Sequence, residues 1–513
     1  MTTISTYTLP APVEEKYTAV YHREFVLEQR TDPTYTSTPS APTDSIIPPK
    51  TTQRALLLHA AGEQYTLVTD HAIPEISHKD EILVKIQAVG LNPVDWKGPA
   101  FNFGLPSLPW INGRDLAGEV VRVNNENSRV RVGDKVLVPS TDYRDIRKAA
   151  FQEYAVATHF NAARIPSNSC VHASASLGVA FVASVLALGV SLGLDFRQCL
   201  QCPGPNLQDT VTQLDINDIP ADIRGECFSS SAVPERLSKG EWIAIWGAST
   251  TTGYITLQLA KLAGLRVICV ADIARHGSRL HQLGADVLVD RQDTERAVDI
   301  IRGVTGGKLR YAVDIVGAET ATLLQRTLDN TIREDGSHSH LLGLTGLPKE
   351  RNEALVYHTV PIKLFHTSPT VGEQMVSWLE ALLETEALQL PEVVRHEGGL
   401  GSINESLEVL RKGRRNTWTI SYADLKRPLP CYQRFYFPEP LYTRIMDSKT
   451  NTKTDNIIET SLEQESHEVP LPLLPLTSDT IVGTIITTSV AITRQSHVFH
   501  QALHTTRKSQ PSS

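Results

Sequence analysis

Short apolar runs separated by turn residues mark the first ordered part of the chain. Arg54–Leu58, Ile82–Val89, Gly118–Val123 and Lys135–Val138 each have the length and composition of a strand. Leu177–Leu188, made of small and apolar residues, is instead typical of a buried helix. Several short strands with turns between them predict a β-rich first domain.

From Trp242 the pattern becomes a regular alternation of strands and helices. The predicted strands are Trp242–Trp246, Arg266–Val270, Asp286–Val289, Tyr311–Val316 and His340–Leu344. The predicted helices are Tyr254–Ala263, Arg275–Leu283, Glu295–Val304, Glu319–Leu328 and Glu373–Leu383. Alternation at this spacing predicts an α/β fold with a doubly wound parallel sheet.

Three segments lack this periodicity. Residues 1–50 are rich in Thr, Pro and Ser and are interpreted as a flexible N-terminal arm. Residues 195–240 carry Pro, Asn, Asp and Ser and are interpreted as an inserted loop, and 423–513 as an irregular C-terminal tail. Just before that tail, Thr417–Tyr422 is predicted to be a last strand that returns to the first domain.

Composition and charge narrow the class of protein. The 513 residues are 41% hydrophobic and 21% charged, as in ordinary globular domains. A net charge of -8 without a basic run argues against a nucleic-acid partner. Thr480–Ile492 is too short and too rich in threonine to span a membrane. No signal peptide is apparent and the six cysteines are scattered, so we expect a cytoplasmic protein without a membrane partner.

A small-residue turn between a predicted strand and a predicted helix is the strongest chemical signal. It consists of Gly247, Ala248, Ser249, Thr250, Thr251, Thr252 and Gly253. In this position the helix N-terminus faces the pyrophosphate of a dinucleotide, and small residues allow its close approach. Only Gly253 remains of the usual glycine pattern. The alternative is a Ser/Thr-rich helix start in which Gly253 serves close packing.

Several ordered motifs resemble the zinc-independent medium-chain dehydrogenases/reductases. They are Gly90–Lys97, Gly113–Val121 with Gly133–Val136, the Gly247–Gly253 turn, Leu283–Asp286 and Glu397–Leu400. The resemblance covers roughly residues 54–422 and is strongest to fungal quinone-oxidoreductase-like proteins and trans-acting enoyl reductases. It implies a GroES-like catalytic domain at 51–170, completed by 390–422. It also implies a Rossmann cofactor domain at 171–389.

The same resemblance implies a site without metal. Zinc-containing relatives carry Cys at the position of Asn92, His-Glu at Arg114-Asp115, and a further Cys on the helix at Gly178–Ser184. A catalytic zinc needs three protein ligands, and these positions do not supply them. Cys199-x-x-Cys202 with Cys227 is an alternative metal site, although ordinary cysteines explain this pattern better.

The resemblance also suggests the catalytic residues. It places Lys97 beside the nicotinamide, where its ammonium group would donate a hydrogen bond to a developing oxyanion. Asp95 would orient Lys97, and Asn92 would line the same pocket. In the alternative, Asp95 and Lys97 are solvated loop residues and Asn92 begins a turn. Ser184 is a weaker hydroxyl candidate, better explained by helix packing.

Residues after the predicted strands bear on the choice of cofactor. Arg275 and Arg291 favour the 2′-phosphate of NADP, because guanidinium groups match phosphate geometry. Asp272 opposes this, since a carboxylate near the ribose favours NAD. The alternative for either arginine is an ordinary surface position. Gly343 and Leu344, which end a predicted strand, are added as cofactor contacts.

Together these features predict a hydride transfer from NADPH to an activated double bond or carbonyl, best described as enoyl reductase-like. The alternatives are a quinone or carbonyl reductase, or a nucleotide-binding scaffold without turnover. We expect a small-molecule substrate, or a carrier- or synthase-bound intermediate, and a monomer or homodimer.

Overall fold

The computed structural model describes residues 51–229, 235–413 and 418–421. The predicted arm at 1–50 and tail at 423–513 lie outside this range. Among the helices of the described residues, none combines the length and apolar character needed to cross a membrane.

The first part of the described chain consists mainly of antiparallel strands. They are β1 (Thr52–Leu58), β2 (Thr66–Ala72), β3 (Glu81–Leu91), β4 (Trp110–Ile111), β5 (Asp115–Val123), β6 (Lys135–Pro139), β7 (Tyr154–Thr158) and β8 (Ala163–Arg164). β1 lies between β2 and β4, while β3, β5, β6 and β8 follow one another in a second sheet, with β7 also paired to β3. Their buried side chains, including Ile82, Val84 and Val120, form one core. The prediction of a β-rich domain is confirmed.

A six-stranded parallel sheet forms the second part. Its strands are β9 (Trp242–Trp246), β10 (Arg266–Ala271), β11 (Val287–Asp290), β12 (Tyr311–Asp314), β13 (Ser339–Gly343) and β14 (Leu355–His358). The strand order is β11-β10-β9-β12-β13-β14. The chain therefore moves outward from β9 on one side and returns to β12 on the other, as in a doubly wound Rossmann fold. Ligands bind such sheets where the order reverses, here at the carboxyl ends of β9 and β12.

Two strands near the end of the described chain join the first part. They are β15 (Val394–Glu397) and β16 (Trp418–Ser421). β16 runs antiparallel to β3, and Ile420 is paired with Val89. The predicted return of the chain to the first domain therefore takes place, and it ties the two ends of the described chain together.

The helices complete the two parts. They are α1 (Pro93–Phe101), α2 (Val171–Ala175), α3 (Gly178–Leu186), α4 (Leu207–Thr212), α5 (Arg224–Ser229), α6 (Thr251–Leu262), α7 (Ile273–Gln282), α8 (Thr294–Thr305), α9 (Ala318–Gln325), α10 (Leu364–Thr367), α11 (Pro369–Glu384) and α12 (Ile403–Arg411). The single helix expected at Leu177–Leu188 is α3 followed by a π-helical turn at Ala187–Ser191.

The segment 195–240 differs from the expected loop. It contains α4 and α5, and Phe196, Cys199 and Leu207 are buried in the same core as α3 and α6. Trp378 of α11 packs against Phe196, with ring centroids 4.6 Å apart. The apolar residues of segment 195–240 are spaced irregularly because they pack against several elements that are distant in sequence. No single helix or strand period therefore predicts their burial.

Candidate active site

The turn after β9 is tight and depends on two glycines. Gly247 has a positive φ of 90°, a conformation that side-chain-bearing residues rarely adopt. Thr250 caps α6: its hydroxyl accepts a hydrogen bond from the Gly253 amide at 3.0 Å and donates one to the Gly247 carbonyl at 2.9 Å. A Cβ on Gly253 would lie only 2.4 Å from the Gly247 oxygen. The amino end of α6 is therefore held tightly against the strand end.

A buried carboxylate at the end of β12 shapes the neighbouring loop, and the sequence reasoning did not identify it. Asp314 is fully buried, and its Oδ1 accepts hydrogen bonds from the amides of Val316 at 3.0 Å and Gly317 at 2.7 Å. Burial raises the pKa of Asp314 to about 6. Its carbonyl accepts a hydrogen bond from the Leu344 amide at 2.9 Å, so the ends of β12 and β13 are aligned. The feature of the sequence that could have indicated Asp314 is an acidic residue at the end of an apolar strand.

Gly343 belongs to the same sheet edge. A Cβ on Gly343 would lie 2.3 Å from the Gly346 oxygen, so the loop after β13 folds back closely over the strand end. The structure therefore brings Gly343 and Leu344 to the edge where Gly247 begins the turn, since β12 pairs with both β9 and β13.

The two arginines proposed for phosphate binding lie at the ends of neighbouring strands. Arg275 and Arg291 are both exposed. The pKa of His276 is lowered mainly by burial, and the positive charges of Arg275 and Arg291 lower it further. Asp272 caps α7 by accepting a hydrogen bond from the Arg275 amide at 3.3 Å. The carboxylate that was expected to oppose phosphate binding therefore also has a structural partner.

The segment Asn92–Lys97 forms the start of α1 and not a solvated loop. The Asn92 amide donates to Asp95 Oδ2 at 2.7 Å, and Asp95 is only 2% exposed. The Asn92 side chain donates to Asp115 Oδ2 at 2.8 Å, and the Val179 amide donates to Asp115 Oδ1 at 2.7 Å. Asp95 thus caps the beginning of its own helix, and Asn92 joins α1 to β5 and α3.

Lys97 stands apart from these carboxylates. It is half-buried, and its Nζ lies 5.8 Å from the ring centroid of Trp96. Within the described part of the chain no carboxylate is within 4.0 Å of it, so Asp95 does not orient Lys97 by direct contact. Ser184 is fully buried and bonds Ala180, Thr252 and Thr256, a helix-packing role between α3 and α6.

A polar network next to α1 was not found from the sequence. Arg114 is 5% exposed, and its guanidinium carbon lies 3.9 Å from the ring centroid of Tyr143. Its Nη2 donates to Asn112 Oδ1 at 3.4 Å, and Asn112 donates to the Tyr65 hydroxyl at 2.8 Å. Tyr65 in turn donates to the Asp95 carbonyl at 2.6 Å.

The two buried carboxyls give folding stability a specific pH dependence. Burial raises the pKa of Asp95 to about 7 and that of Asp115 to about 7, against 3.8 in an exposed aspartate. Between about pH 4 and pH 7 the folded protein keeps protons that the unfolded chain releases, so stability falls as the pH rises. We expect a loss of roughly 2–3 kcal/mol per carboxyl between pH 5 and pH 8, so Asp95→Asn, which removes one of the two groups, should lose less stability over this range.

Urea unfolding at both pH values measures this loss. Asp70→Asn, which changes an exposed aspartate of β2, is the matched control and should retain the parent's pH dependence. An Asp95→Asn protein with an unaltered pH dependence would contradict the assignment.

The cysteines do not form an evident metal site. Cys199, Cys202 and Cys227 are free and buried, and burial raises the pKa of the Cys199 and Cys227 thiols to about 12. Among the described residues no group of three or more His, Cys, Asp or Glu side chains has metal-binding geometry.

That the protein works without zinc remains a prediction. Purified protein should contain no stoichiometric zinc by elemental analysis, and a chelator should leave its activity unchanged. One equivalent of zinc per chain would contradict this prediction and would direct attention to Cys199, Cys202 and Cys227.

Comparison with known proteins agrees with this architecture. Residues 78–167 match the alcohol dehydrogenase GroES-like domain family, and residues 251–352 match the zinc-binding dehydrogenase family. The second match does not include Asn92, Arg114 or Asp115, so it carries no information on a metal at those positions.

Individual relatives cover most of the described chain. A trans-enoyl reductase of Botryotinia fuckeliana is 28% identical over 376 residues, which are 65% of this chain and 89% of that protein. A trans-enoyl reductase of Gibberella fujikuroi is 27% identical over 370 residues, 68% of this chain and 92% of that protein. Escherichia coli quinone oxidoreductase in complex with NADPH has the same fold, with a TM-score of 0.53 and 16% identity over 72% of this chain and 99% of that one. The chain is therefore similar to the fungal trans-enoyl reductases over about nine tenths of their length, and it has the fold of the quinone oxidoreductase.

Proposed function

We propose that this protein is an NADPH-dependent, enoyl reductase-like oxidoreductase of the cytoplasm. Its substrate would be a small α,β-unsaturated acyl compound, free or attached to a carrier or synthase. The main support is the tight Gly247–Gly253 turn at the point where the strand order reverses, in a chain similar to trans-enoyl reductases over about nine tenths of their length. Bound NADPH would supply the hydride.

The residues around the turn fit a dinucleotide. The amino end of α6, at Thr251 and Thr252, would present its amides and their partial positive charge to a pyrophosphate. Close packing of Gly253 and the positive φ of Gly247 keep side chains out of this approach. Asp314 holds the neighbouring loop at the same edge. These features favour binding over the alternative of a plain Ser/Thr-rich helix start.

Residues of α1 would act on the substrate. Lys97 would donate a hydrogen bond to the carbonyl oxygen as negative charge develops on it, which is the usual requirement when no metal is present. Asn92 would line the same pocket, and its side-chain bond to Asp115 keeps it in place. Asp95 would act indirectly, by fixing the first turn of α1.

A screen of NADPH oxidation tests this proposal. Enoyl thioesters, enones, quinones and aldehydes are compared at equal concentrations, and each product is identified by mass spectrometry. We expect turnover to be highest with the enoyl thioesters and enones. Preferred reduction of quinones or aldehydes would support the alternative activity, and tight NADPH binding without turnover would support a scaffold.

The cofactor preference depends on Arg275 and Arg291. We expect NADPH to bind about ten- to hundredfold more tightly than NADH, because charge-assisted hydrogen bonds to the 2′-phosphate contribute about 1.5–3 kcal/mol. Arg275→Ala and Arg291→Ala should each weaken NADPH binding about tenfold and leave NADH binding nearly unchanged. Fluorescence titration with NADPH and with NADH measures the change in affinity of each variant for each cofactor.

Arg296→Ala is the matched control, because it removes an equally exposed positive charge from the first turn of α8. It should alter neither affinity. If the parent binds NADH as tightly as NADPH, Asp272 is the better candidate for a contact with the ribose.

A further inference from the structure

A small, partly open cavity lies beside the segment that carries the proposed catalytic residues. Its volume is about 60 Å³, and its wall includes Val94, Asp95, Phe103, Asn112, Arg114 and Tyr143. It lies between the first turn of α1 and Arg114, the residue before β5, and its lining includes no residue of the Gly247–Gly253 turn. A space of this size accommodates a carboxylate group or a few water molecules.

Arg114 gives the cavity a positive charge that the protein does not neutralise by direct contact. Its side chain is buried, yet no carboxylate of the described residues lies within salt-bridge distance. Among the described residues it has one hydrogen bond, to Asn112, which is long at 3.4 Å. A guanidinium group has five donor hydrogens in a planar fork, which matches the two oxygens of a carboxylate. Buried charges are normally paired, so the remaining donors favour an anionic ligand.

Asp95 supplies a second unsatisfied group in the same wall. Its Oδ2 accepts the hydrogen bond from Asn92, whereas the buried Oδ1 has no hydrogen-bond partner among the described residues. In its neutral form this carboxyl can donate a hydrogen bond to one oxygen of a ligand while Arg114 binds the other. The Tyr143 ring covers the guanidinium and keeps it from turning toward solvent.

We propose that this cavity is a subsite for a carboxylate group of the substrate, with Arg114 as the residue that selects it. The substrate class is then an unsaturated compound that bears a free carboxylate in addition to the double bond to be reduced. The expected effect of the subsite on substrate turnover rests on the proposed reductase function. Binding of a carboxylate to the subsite can be measured without any turnover.

The binding experiment uses acetate and its neutral isostere acetamide with the full-length protein. Saturation-transfer NMR is expected to detect acetate and not acetamide, and Arg114→Gln should weaken acetate binding at least about tenfold. Arg122→Gln removes an exposed arginine from the same strand region, β5, and should bind acetate like the parent. Equal signals from acetate and acetamide, or unchanged acetate binding by a folded Arg114→Gln protein, would overturn the subsite and leave water in the cavity.

The kinetic experiment uses an enone carboxylate, 4-oxopent-2-enoate, and its methyl ester. The parent should prefer the acid, and Arg114→Gln should lower kcat/KM for the acid at least about tenfold, mainly through KM, with little change for the ester. An equal loss for acid and ester would overturn the selective role of Arg114. If no substrate is turned over while acetate still binds through Arg114, the proposed reductase function fails and the carboxylate subsite stands.

Discussion

Replacement of Gly253 by valine is expected to raise the dissociation constant for NADPH at least about a hundredfold. The new Cβ would lie 2.4 Å from the Gly247 oxygen and 2.6 Å from the Ala248 Cα, and both are backbone atoms that no rotamer change can move. Relief of this overlap must shift the amino end of α6 away from β9. The amides proposed for the pyrophosphate would move with it, at a loss of about 3 kcal/mol or more in binding free energy.

Fluorescence titration measures this effect, and circular dichroism and thermal unfolding show whether the sheet remains intact. Gly303→Ala, in the last turn of α8, is a suitable control because its Cβ would meet nothing within 4 Å. A folded Gly253→Val protein that binds NADPH like the parent would remove the turn from the proposed cofactor site.

Replacement of Lys97 by alanine is expected to lower turnover about a hundredfold while NADPH binding and the unfolding temperature change little. A single charge-assisted donor to a developing oxyanion contributes roughly 3 kcal/mol to the transition state. Lys97 is half-buried and its ammonium has no carboxylate partner among the described residues, so its removal breaks no ion pair. The loss should therefore appear mainly in kcat with every accepted substrate.

Steady-state kinetics of Lys97→Ala and Lys97→Arg test this role, and partial activity in the arginine variant would reflect the retained positive charge. Lys79→Ala, at an exposed loop position, is the control for general loss of a lysine. Unchanged kinetics of Lys97→Ala would return this residue to the solvated alternative.

Local patterns along the chain were sufficient to predict most of the fold. The strand–helix alternation after Trp242 and the turn at Gly247–Gly253 depend on neighbours within a few residues, so periodicity and small side chains reveal them. The predicted strand Trp242–Trp246 has the same bounds in the structure. Strand and helix ends differed elsewhere because caps such as Thr250 and Asp272 begin helices before their apolar faces do.

Burial and pairing of polar groups were decided by the tertiary structure. The sequence indicated Asn92, Asp95 and Lys97 as one segment, but not that Asp95 would be buried and would cap α1 while Lys97 remains apart. Segment 195–240 likewise has no period because its apolar residues pack against α3, α6 and α11.

The chain alone therefore determined the alternating α/β pattern, the small-residue turn and the set of candidate side chains, since each follows from residues close together in sequence. Only the folded protein decided which of those side chains meet. Arg114 contacts Tyr143, 29 residues later, and Asn112 contacts Tyr65, 47 residues earlier, because antiparallel strands and the loops between them bring these positions together. Such contacts depend on strand pairing across long loops, and no local period in the sequence encodes that pairing.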